Sequence, residues 1–219
     1  MAVKSSFKNM TLCLLAICLV CSGLLAGVYA LTKAPIDAAA KAKNEAAIKE
    51  VLPETAVTIE EERTVDFEGQ TYAYNLAYDE KGDVVGCAIN VAPVGFGGPI
   101  LIKVGFDKDG VIWNTKVLSQ AETPGLGAKC VEESFSAQFK GFDPMAKKLS
   151  VKKDGGDVDA ITASTITSRA YANGVALAVN VRAAIAGTPM LLDTTTGASS
   201  TEWEEDASGT QSEVEGSNK

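Results

Sequence analysis

The segment Pro99–Leu118, PILIKVGFDKDGVIWNTKVL, contains two apolar runs on either side of the polar sequence Asp107–Gly110. Runs rich in β-branched residues favour strands, and a short polar insertion that ends in glycine favours a tight turn. The segment therefore predicts a β-hairpin with strands at Pro99–Phe106 and Val111–Leu118. Because a hairpin pairs neighbouring strands antiparallel, it indicates an antiparallel sheet.

A second predicted hairpin precedes the first. Its strands are Thr71–Tyr78, TYAYNLAY, in which tyrosine and leucine alternate with other residues, and Val84–Val91, VVGCAINV. The polar sequence Glu80–Asp83 connects them as a turn. Between the two hairpins lies Val94–Pro99, VGFGGP, whose glycines suit a tight loop or a close approach of the backbone to another segment.

Two helices are predicted after the hairpins. Val131–Phe139, VEESFSAQF, is a short helix, and Tyr171–Ala186, YANGVALAVNVRAAIA, is a longer, nearly all-apolar helix that ends before Gly187 and Pro189. Strand hairpins with interspersed helices, and without a repeating strand–helix–strand order, predict the α+β fold class. We expect one such domain at residues 34–193.

An uncharged apolar segment lies near the N-terminus. Met10–Leu31, MTLCLLAICLVCSGLLAGVYAL, would reach roughly 33 Å as a helix, enough to cross a hydrocarbon core of about 30 Å. The alternative is a cleaved signal peptide with a weak cleavage site at Val28–Ala30. The apolar run is longer than the roughly 7–15 residues of a signal sequence, so we predict an uncleaved, single transmembrane helix.

The segment after this helix is predicted to be a stalk. Ile36–Pro53, IDAAAKAKNEAAIKEVLP, reads as a helix that Pro53 ends, with an apolar side formed by Ile36, Ala40, Ala47, Val51 and Leu52. Lys4 and Lys8 lie in the short N-terminal segment 1–9, and a short basic segment before a first helix stays cytoplasmic. Everything after Leu31 is therefore expected on the extracytoplasmic side.

Charge excludes one class of partner. The chain has 219 residues and a formal net charge of −8, and it contains no basic stripe that could neutralise phosphates, so nucleic acid is not an expected partner. Much of the acidity lies in residues 194–219, which are rich in Ser, Thr, Gly and Glu. This composition predicts a disordered acidic tail.

Residue types exclude several chemistries. The sequence has no histidine, which removes Ser–His and Cys–His nucleophile pairs and histidine metal sites. Outside the transmembrane segment only Cys87 and Cys130 remain, too few for a structural zinc site. These two cysteines either form a disulfide or are separate buried thiols, the second being favoured. Demanding chemistry would have to come from a bound cofactor.

Two segments carry candidate functional groups. Ala121–Lys129, AETPGLGAK, contains a Pro-Gly turn that Glu122 and Thr123 enter with a carboxylate and a hydroxyl. Asp159–Ala170, DAITASTITSRA, is dense in hydroxyls just before the long apolar helix, for which Ser168 is the expected N-cap. A helix N-terminus favours phosphate binding, although hydroxyl clusters also occur simply as caps.

The hydroxyl-rich segment resembles the covalent flavin attachment motif of the FMN-binding domain in ion-translocating oxidoreductases. In that family the motif runs Asp, two residues, Ser or Thr, usually Gly-Ala, and then the acceptor Thr. Asp159, Thr162 and Thr165 occupy the fixed positions, while Ala163 and Ser164 stand where Gly and Ala are usual.

The region before it is similar to the same family. The matching stretch VGFGGPILIKVGFDKDGVIWNTKVLSQAETPGLGAK includes the family's Gly-Pro-Ile and Glu-Thr-Pro-Gly-Leu-Gly sequences, and Gln120 stands where the family often has histidine. Together the matches span residues 94–175. The chain most resembles the G-subunit family of Rnf-type complexes, whose relative is the C subunit of the sodium-pumping NADH:quinone reductase.

The resemblance implies a covalent cofactor. In this family a separate flavin transferase uses FAD and magnesium to esterify FMN to a threonine, here Thr165, with the isoalloxazine near the Pro-Gly turn. Asp159 would position the transferase's metal or accept a proton, and the N–H groups of Leu126 and Gly127 would face the cofactor. The implied cofactor-binding residues are Thr165, Asp159, Thr162, Ser164, Glu122, Thr123, Leu126 and Gly127.

The implied function is electron relay in a bacterial inner-membrane complex. Together with the other membrane subunits, such a chain would help couple ferredoxin:NAD electron transfer to sodium or proton translocation. It contains no ferredoxin-type cysteine run and no dinucleotide fingerprint, so it is not the whole oxidoreductase. The alternatives are a membrane-anchored flavin-binding sensor and a flavinylated domain that feeds an extracytoplasmic reductase.

Overall fold

A computed structural model describes residues 7–187 and Leu192. Within these residues, six strands form one antiparallel sheet: β1 Thr58–Ile59, β2 Arg63–Phe67, β3 Gln70–Tyr78, β4 Val84–Val91, β5 Leu101–Asp107 and β6 Ile112–Ser119. The helices of the described part are α1 Phe7–Val51, α2 Glu133–Ser136 and α3 Thr165–Ala186, with short 3₁₀ segments at Gly127–Val131, Ala137–Phe139 and Lys152–Asp154. The predicted α+β class is confirmed.

Both predicted hairpins are present. The sheet order is β1-β3-β4-β5-β6, and β2 also pairs with β3, so each predicted hairpin forms a neighbouring antiparallel pair. β5 begins at Leu101 because Pro99 instead pairs with Val94 across the glycine loop, where the Gly95 N–H donates to the Gly98 carbonyl at 2.8 Å. The predicted tight loop between the hairpins is therefore confirmed.

One face of the sheet packs against α3 in the main core. Alternate strand residues such as Ile89, Val104 and Phe106 are fully buried there. Tyr171 of α3 is also fully buried, and its ring meets Phe135 edge-on at 5.2 Å between centroids. The apolar side chains of α3 thus fix this helix on the sheet, which in turn fixes the position of its N-terminus.

The opposite face packs against the end of α1. Ala47, Ile48 and Val51 are buried against Ala77 and Ala88 of the sheet. Polar contacts reinforce this packing, since Lys43 donates to the Leu118 carbonyl and Lys116 pairs with Glu50 at 2.8 Å.

The predicted transmembrane and stalk helices form one continuous helix. α1 runs through Pro35 and ends at Val51, because the residue before Pro53 is restricted to extended conformations. Ile36 and Ala40, predicted on the apolar side of the stalk, are exposed, so only the last turns contact the sheet. The N-terminal part of α1 is long and apolar enough to cross a membrane.

Three local predictions have different outcomes: one is wrong, one is confirmed and one lies outside the described residues. The expected helix Val131–Phe139 is divided into short helical segments, since the chain turns to bury Phe135 and Phe139 against α3. The favoured prediction that Cys87 and Cys130 are separate buried thiols is confirmed, and burial raises the pKa of each to about 11. The acidic segment 194–219 lies outside the described residues.

Candidate functional site

The two segments predicted to carry chemistry meet in one pocket. We refer to residues 121–129 as the Pro-Gly turn and to residues 159–168 as the hydroxyl segment. The pocket between them has a volume of about 390 Å³, within the usual range for small-molecule sites. It is lined by Phe96, Glu122, Thr123, Leu126, Gly127, Ala163, Ser164, Thr165, Ile166 and Thr167.

Glu122 connects three segments beneath this pocket. Its side chain is only 5% exposed, and its carboxylate accepts hydrogen bonds from the Thr167 hydroxyl at 2.6 Å and from the Gly97 N–H at 2.9 Å. Its own N–H donates to the Gln120 side-chain oxygen at 2.5 Å. The carboxylate thus ties the Pro-Gly turn to α3 and to the glycine loop through charge-assisted hydrogen bonds.

Two glycines are required by this close packing. A Cβ at Gly127 would contact the Glu122 carboxylate and the Thr167 hydroxyl, and a Cβ at Gly97 would contact the Ala121 carbonyl. Any side chain at either position would therefore separate the segments that Glu122 holds together.

The Pro-Gly turn uses one of the donors that we expected to face a cofactor. The N–H groups of Leu126 and Ala128 both donate to the Thr123 carbonyl at 3.2 Å. The Leu126 N–H is therefore committed to the turn, contrary to expectation. The Thr123 side chain is exposed at the rim of the pocket.

The hydroxyl segment enters α3 earlier than predicted. Ser164 is the N-cap residue and Thr165 is the first helical residue, whereas Ser168, the expected cap, is buried within the first turn. The Ser168 hydroxyl donates to the Ser164 carbonyl at 2.9 Å and accepts the Ile161 N–H at 2.8 Å. These bonds hold the tight turn before the helix, so the helix can begin at Thr165.

The N-terminus of α3 is left without a side-chain cap. The Ser164 side chain is 7% exposed and lines the pocket, and within the described part of the chain its hydroxyl has no hydrogen-bond partner. The first turn of α3 also contains no acidic residue. Because buried polar atoms are normally paired and helix N-termini favour anions, this end fits an added acidic group such as a phosphate.

Ala163 has an uncommon backbone conformation. Its φ is 60°, in the left-handed region that costs a residue with a Cβ roughly 1–2 kcal/mol. Glycine is usual at this position of the attachment motif, which the conformation explains, since glycine adopts positive φ without this cost. The alanine keeps the turn but strains it.

The Asp159 carboxylate does not bond to the Thr165 hydroxyl. Asp159 is exposed and forms an ion pair with Lys152 at 2.7 Å, while the Thr165 hydroxyl accepts a hydrogen bond from Lys153 at 3.3 Å. Gln138 holds the Asp159 backbone in a reciprocal pair of hydrogen bonds at 2.7 and 3.2 Å. Thr162 is exposed to solvent and does not line the pocket.

Large apolar side chains surround the pocket. Phe96 is 70% exposed, Leu126 43% and Ile166 45%, and all three line it. Such a group of exposed apolar side chains beside polar groups is typical of a ligand site, and it suits a flat aromatic ligand.

Sequence reasoning missed Phe96, Lys153 and Thr167 as site residues. Phe96 is the single aromatic residue of the VGFGGP loop, and Thr167 belongs to the hydroxyl segment, so both had a signal in the sequence. Lys153 had none, because the chain reverses between it and Thr165.

Two protein families match the chain. The FMN-binding domain family matches residues 95–180, and the RnfG N-terminal region matches residues 1–51. The first match contains the whole pocket lining, and the second covers α1 to its last residue.

Similar proteins share one description, the G subunit of an ion-translocating oxidoreductase complex. The protein from Shewanella piezotolerans is 37% identical over 193 residues, covering 80% of this chain and 88% of that protein. The protein from Methanosarcina acetivorans is 32% identical over 186 residues, covering 82% and 96%. The Haemophilus influenzae protein (strain PittEE) is 32% identical over 173 residues, covering 72% and 81%.

Two solved structures are also similar. The crystal structure of the C subunit of Na⁺-translocating NADH-quinone reductase from Parabacteroides distasonis has 25% identity and a TM-score of 0.43, covering 57% of this chain and 77% of that one. The crystal structure of Shewanella oneidensis NqrC has 21% identity and a TM-score of 0.40, covering 53% and 62%.

Proposed function

The chain belongs to the G-subunit family of ion-translocating oxidoreductase complexes, and from this membership we propose that it relays electrons through an FMN esterified to Thr165. It is a membrane-anchored redox subunit with an FMN-binding domain. The covalent attachment, its position and the reaction served by the complex are the proposed part.

The observation that carries the proposal is the unsatisfied N-terminus of α3 beside the Thr165 hydroxyl. Thr165 is only partly buried, so its hydroxyl is accessible to a flavin transferase. The buried Ser164 hydroxyl, which has no partner among the described residues, can donate to a phosphate oxygen at the neighbouring residue. A group that adds both acceptor oxygens and negative charge would satisfy this end of the helix.

The chain's own residues would hold the cofactor in two ways. The N-terminus of α3 stabilises one negative charge by about 0.3–1 kcal/mol, which is too little to retain a cofactor without a covalent bond. The exposed apolar side chains of Phe96, Leu126 and Ile166 would cover the flavin ring and exclude water from it. When bound, FMN supplies reversible electron transfer in one-electron steps.

The Pro-Gly turn contributes rigidity rather than proton transfer. Glu122 is occupied by Thr167 and Gly97, and the Gln120 side-chain oxygen accepts the Glu122 N–H. Gln120 stands where the family often has histidine, and glutamine does not titrate. This arrangement favours relay of electrons over oxidation of a substrate by the chain itself.

We propose further that the chain acts in an Rnf-type complex with other membrane subunits, where it would help couple ferredoxin:NAD electron transfer to sodium or proton translocation. The short basic segment before α1 favours a cytoplasmic N-terminus, with the FMN-binding domain on the extracytoplasmic side. Protease added to intact spheroplasts should then remove the acidic segment 194–219, whose composition predicts disorder. Digestion only after lysis would reverse this topology.

The function is tested in membranes that contain the whole complex. Thr165→Ala should abolish ferredoxin-dependent NAD reduction while the complex remains assembled, because the relay would lose its flavin. Thr162→Ala, which removes an exposed hydroxyl at another fixed position of the motif, should at most reduce the rate. Normal electron transfer in the Thr165 variant would show that a flavin at Thr165 does not carry the electrons, which would contradict the proposal.

A further inference from the structure

Three cationic side chains lie around the hydroxyl segment, and two of them have carboxylate partners. Lys152 pairs with Asp159 at 2.7 Å. Arg169 donates two hydrogen bonds to Asp154, each of 2.7 Å. Lys153 instead donates to the uncharged hydroxyl of Thr165 at 3.3 Å. Of these three cations, Lys153 is therefore the one whose positive charge is not offset by a hydrogen-bonded carboxylate.

The position of Lys153 is fixed by its neighbours. The bidentate Arg169–Asp154 pair ties the 3₁₀ segment Lys152–Asp154 to the first turns of α3. The hydrogen bonds from Arg169 lower the pKa of Asp154, so the pair is ionised at neutral pH. The backbone that carries Lys153 is therefore held beside Thr165, and the buried Ser164 hydroxyl, without a partner in the described part of the chain, lies on the same helix end.

We infer that Lys153 is a positioning residue that binds the phosphate of the FMN joined to Thr165, both while the ester forms and afterwards. The inference rests on the proposed attachment and assigns it a phosphate-binding side chain. A lysine ammonium within reach of a phosphate oxygen forms a charge-assisted hydrogen bond, the stronger kind of hydrogen bond in proteins.

The transfer step balances without an oxidant. The Thr165 O–H bond breaks, and a bond forms between the Thr165 oxygen and the FMN phosphorus of FAD. The pyrophosphate P–O bond of FAD breaks, AMP leaves, and the proton goes to a base on the transferase. Lys153 takes no part in this proton transfer and donates a hydrogen bond to a non-bridging oxygen of the phosphate, where negative charge is present in the transition state and in the product.

In the test, each full-length variant is incubated with purified flavin transferase, FAD and magnesium. The rate of modification is measured by intact-protein mass spectrometry. Lys153→Met should slow modification about tenfold or more, whereas Lys153→Arg, which keeps the charge, should stay within about threefold of the wild type. Lys148→Met is the matched control, because it removes a nearby exposed lysine. Thermal unfolding of each variant should be unchanged, which separates the effect from misfolding.

Three other outcomes would overturn the inference. Modification of Lys153→Met at the wild-type rate would remove the role of Lys153 and leave attachment at Thr165 intact. An equal loss in Lys148→Met would also overturn it, because the effect would then reflect overall charge. A wild-type chain that stays unmodified would overturn both this role and the proposed function.

Discussion

The Pro-Gly turn and the hydroxyl segment line the same pocket, but their polar groups are satisfied differently. In the turn, the Glu122 carboxylate is paired within the chain, because it accepts hydrogen bonds from the Thr167 hydroxyl of α3 and the Gly97 N–H of the glycine loop. At the start of α3 in the hydroxyl segment, the Ser164 hydroxyl is buried without a partner among the described residues, and the Thr165 hydroxyl accepts a hydrogen bond from Lys153. The difference supports the proposal that the turn is a structural support, whereas the start of α3 binds an added anionic group.

The largest expected effect on stability is at Glu122. Glu122→Ala leaves the buried Thr167 hydroxyl and the Gly97 N–H without their acceptor and opens a cavity, so the free energy of unfolding should fall by about 2–4 kcal/mol. Thr165→Ala should change it by less than about 0.5 kcal/mol, because that hydroxyl is partly exposed. Thermal or denaturant unfolding of the full chain in detergent measures both. An equal loss of stability in the two variants would contradict the view that Glu122 supports the fold whereas Thr165 serves as the attachment site.

A smaller effect is expected at Thr167. Thr167→Val keeps the shape but removes the hydrogen bond to a buried carboxylate, which should cost about 1.5–3 kcal/mol. Thr162→Val is the control, and its exposed hydroxyl should contribute less than about 0.5 kcal/mol. The same unfolding measurement applies. A neutral Thr167 variant would show that the Glu122 contact does not hold the turn to α3.

Ala163 should respond in the opposite direction. Ala163→Gly relieves the positive φ, which outweighs the entropy that glycine adds to the unfolded chain, so we expect a gain of about 0.5–1 kcal/mol. It also restores the residue usual in the attachment motif. Two quantities are measured for this variant: the free energy of unfolding and the rate of flavin attachment. A loss of stability would show that Ala163 does not adopt a positive φ in the folded protein.

The smallest effect concerns pH. The depressed pKa of Asp154 means that its pairing with Arg169 stabilises the fold above the unfolded pKa of the carboxyl and is lost as pH falls through the lower, folded pKa. Asp154→Asn should therefore flatten the acid end of the stability profile and leave the alkaline end unchanged. Comparing unfolding temperatures between about pH 2 and about pH 7, a range that brackets the titration of a carboxyl, measures this. If the unfolding temperature of the variant falls at acid pH as steeply as that of the wild type, the Asp154–Arg169 pair does not contribute to stability.

The sheet could be predicted well from the sequence because the information that specifies it is local. Alternating apolar residues and polar turns were enough to locate β3 to β6 within two residues at each end. The start of α3 was placed six residues late, since Thr165–Ala170 is rich in hydroxyls that favour caps and turns. Tertiary bonds decide this point, because Ser168 is paired with the Ile161 N–H inside the turn.

The site was predictable where it follows a motif and not where it depends on distant contacts. The meeting of the Pro-Gly turn with the hydroxyl segment followed from the resemblance, but Glu122 as a buried connector did not. Its partners Gly97 and Thr167 lie 25 and 45 residues away along the chain. The Lys153–Thr165 contact spans 12 residues across a reversal of the chain, which residue spacing alone does not reveal.

The most direct test of the central claim is to locate the flavin on the chain. Full-length protein made together with a flavin transferase should carry a fluorescent flavin band on a denaturing gel, and peptide mass mapping should find one FMN on the peptide that contains Thr165. Thr165→Ala should lose the band, and Thr162→Ala should at most weaken it. Full covalent flavin in the Thr165 variant, or FMN mapped to another peptide, would contradict attachment at Thr165.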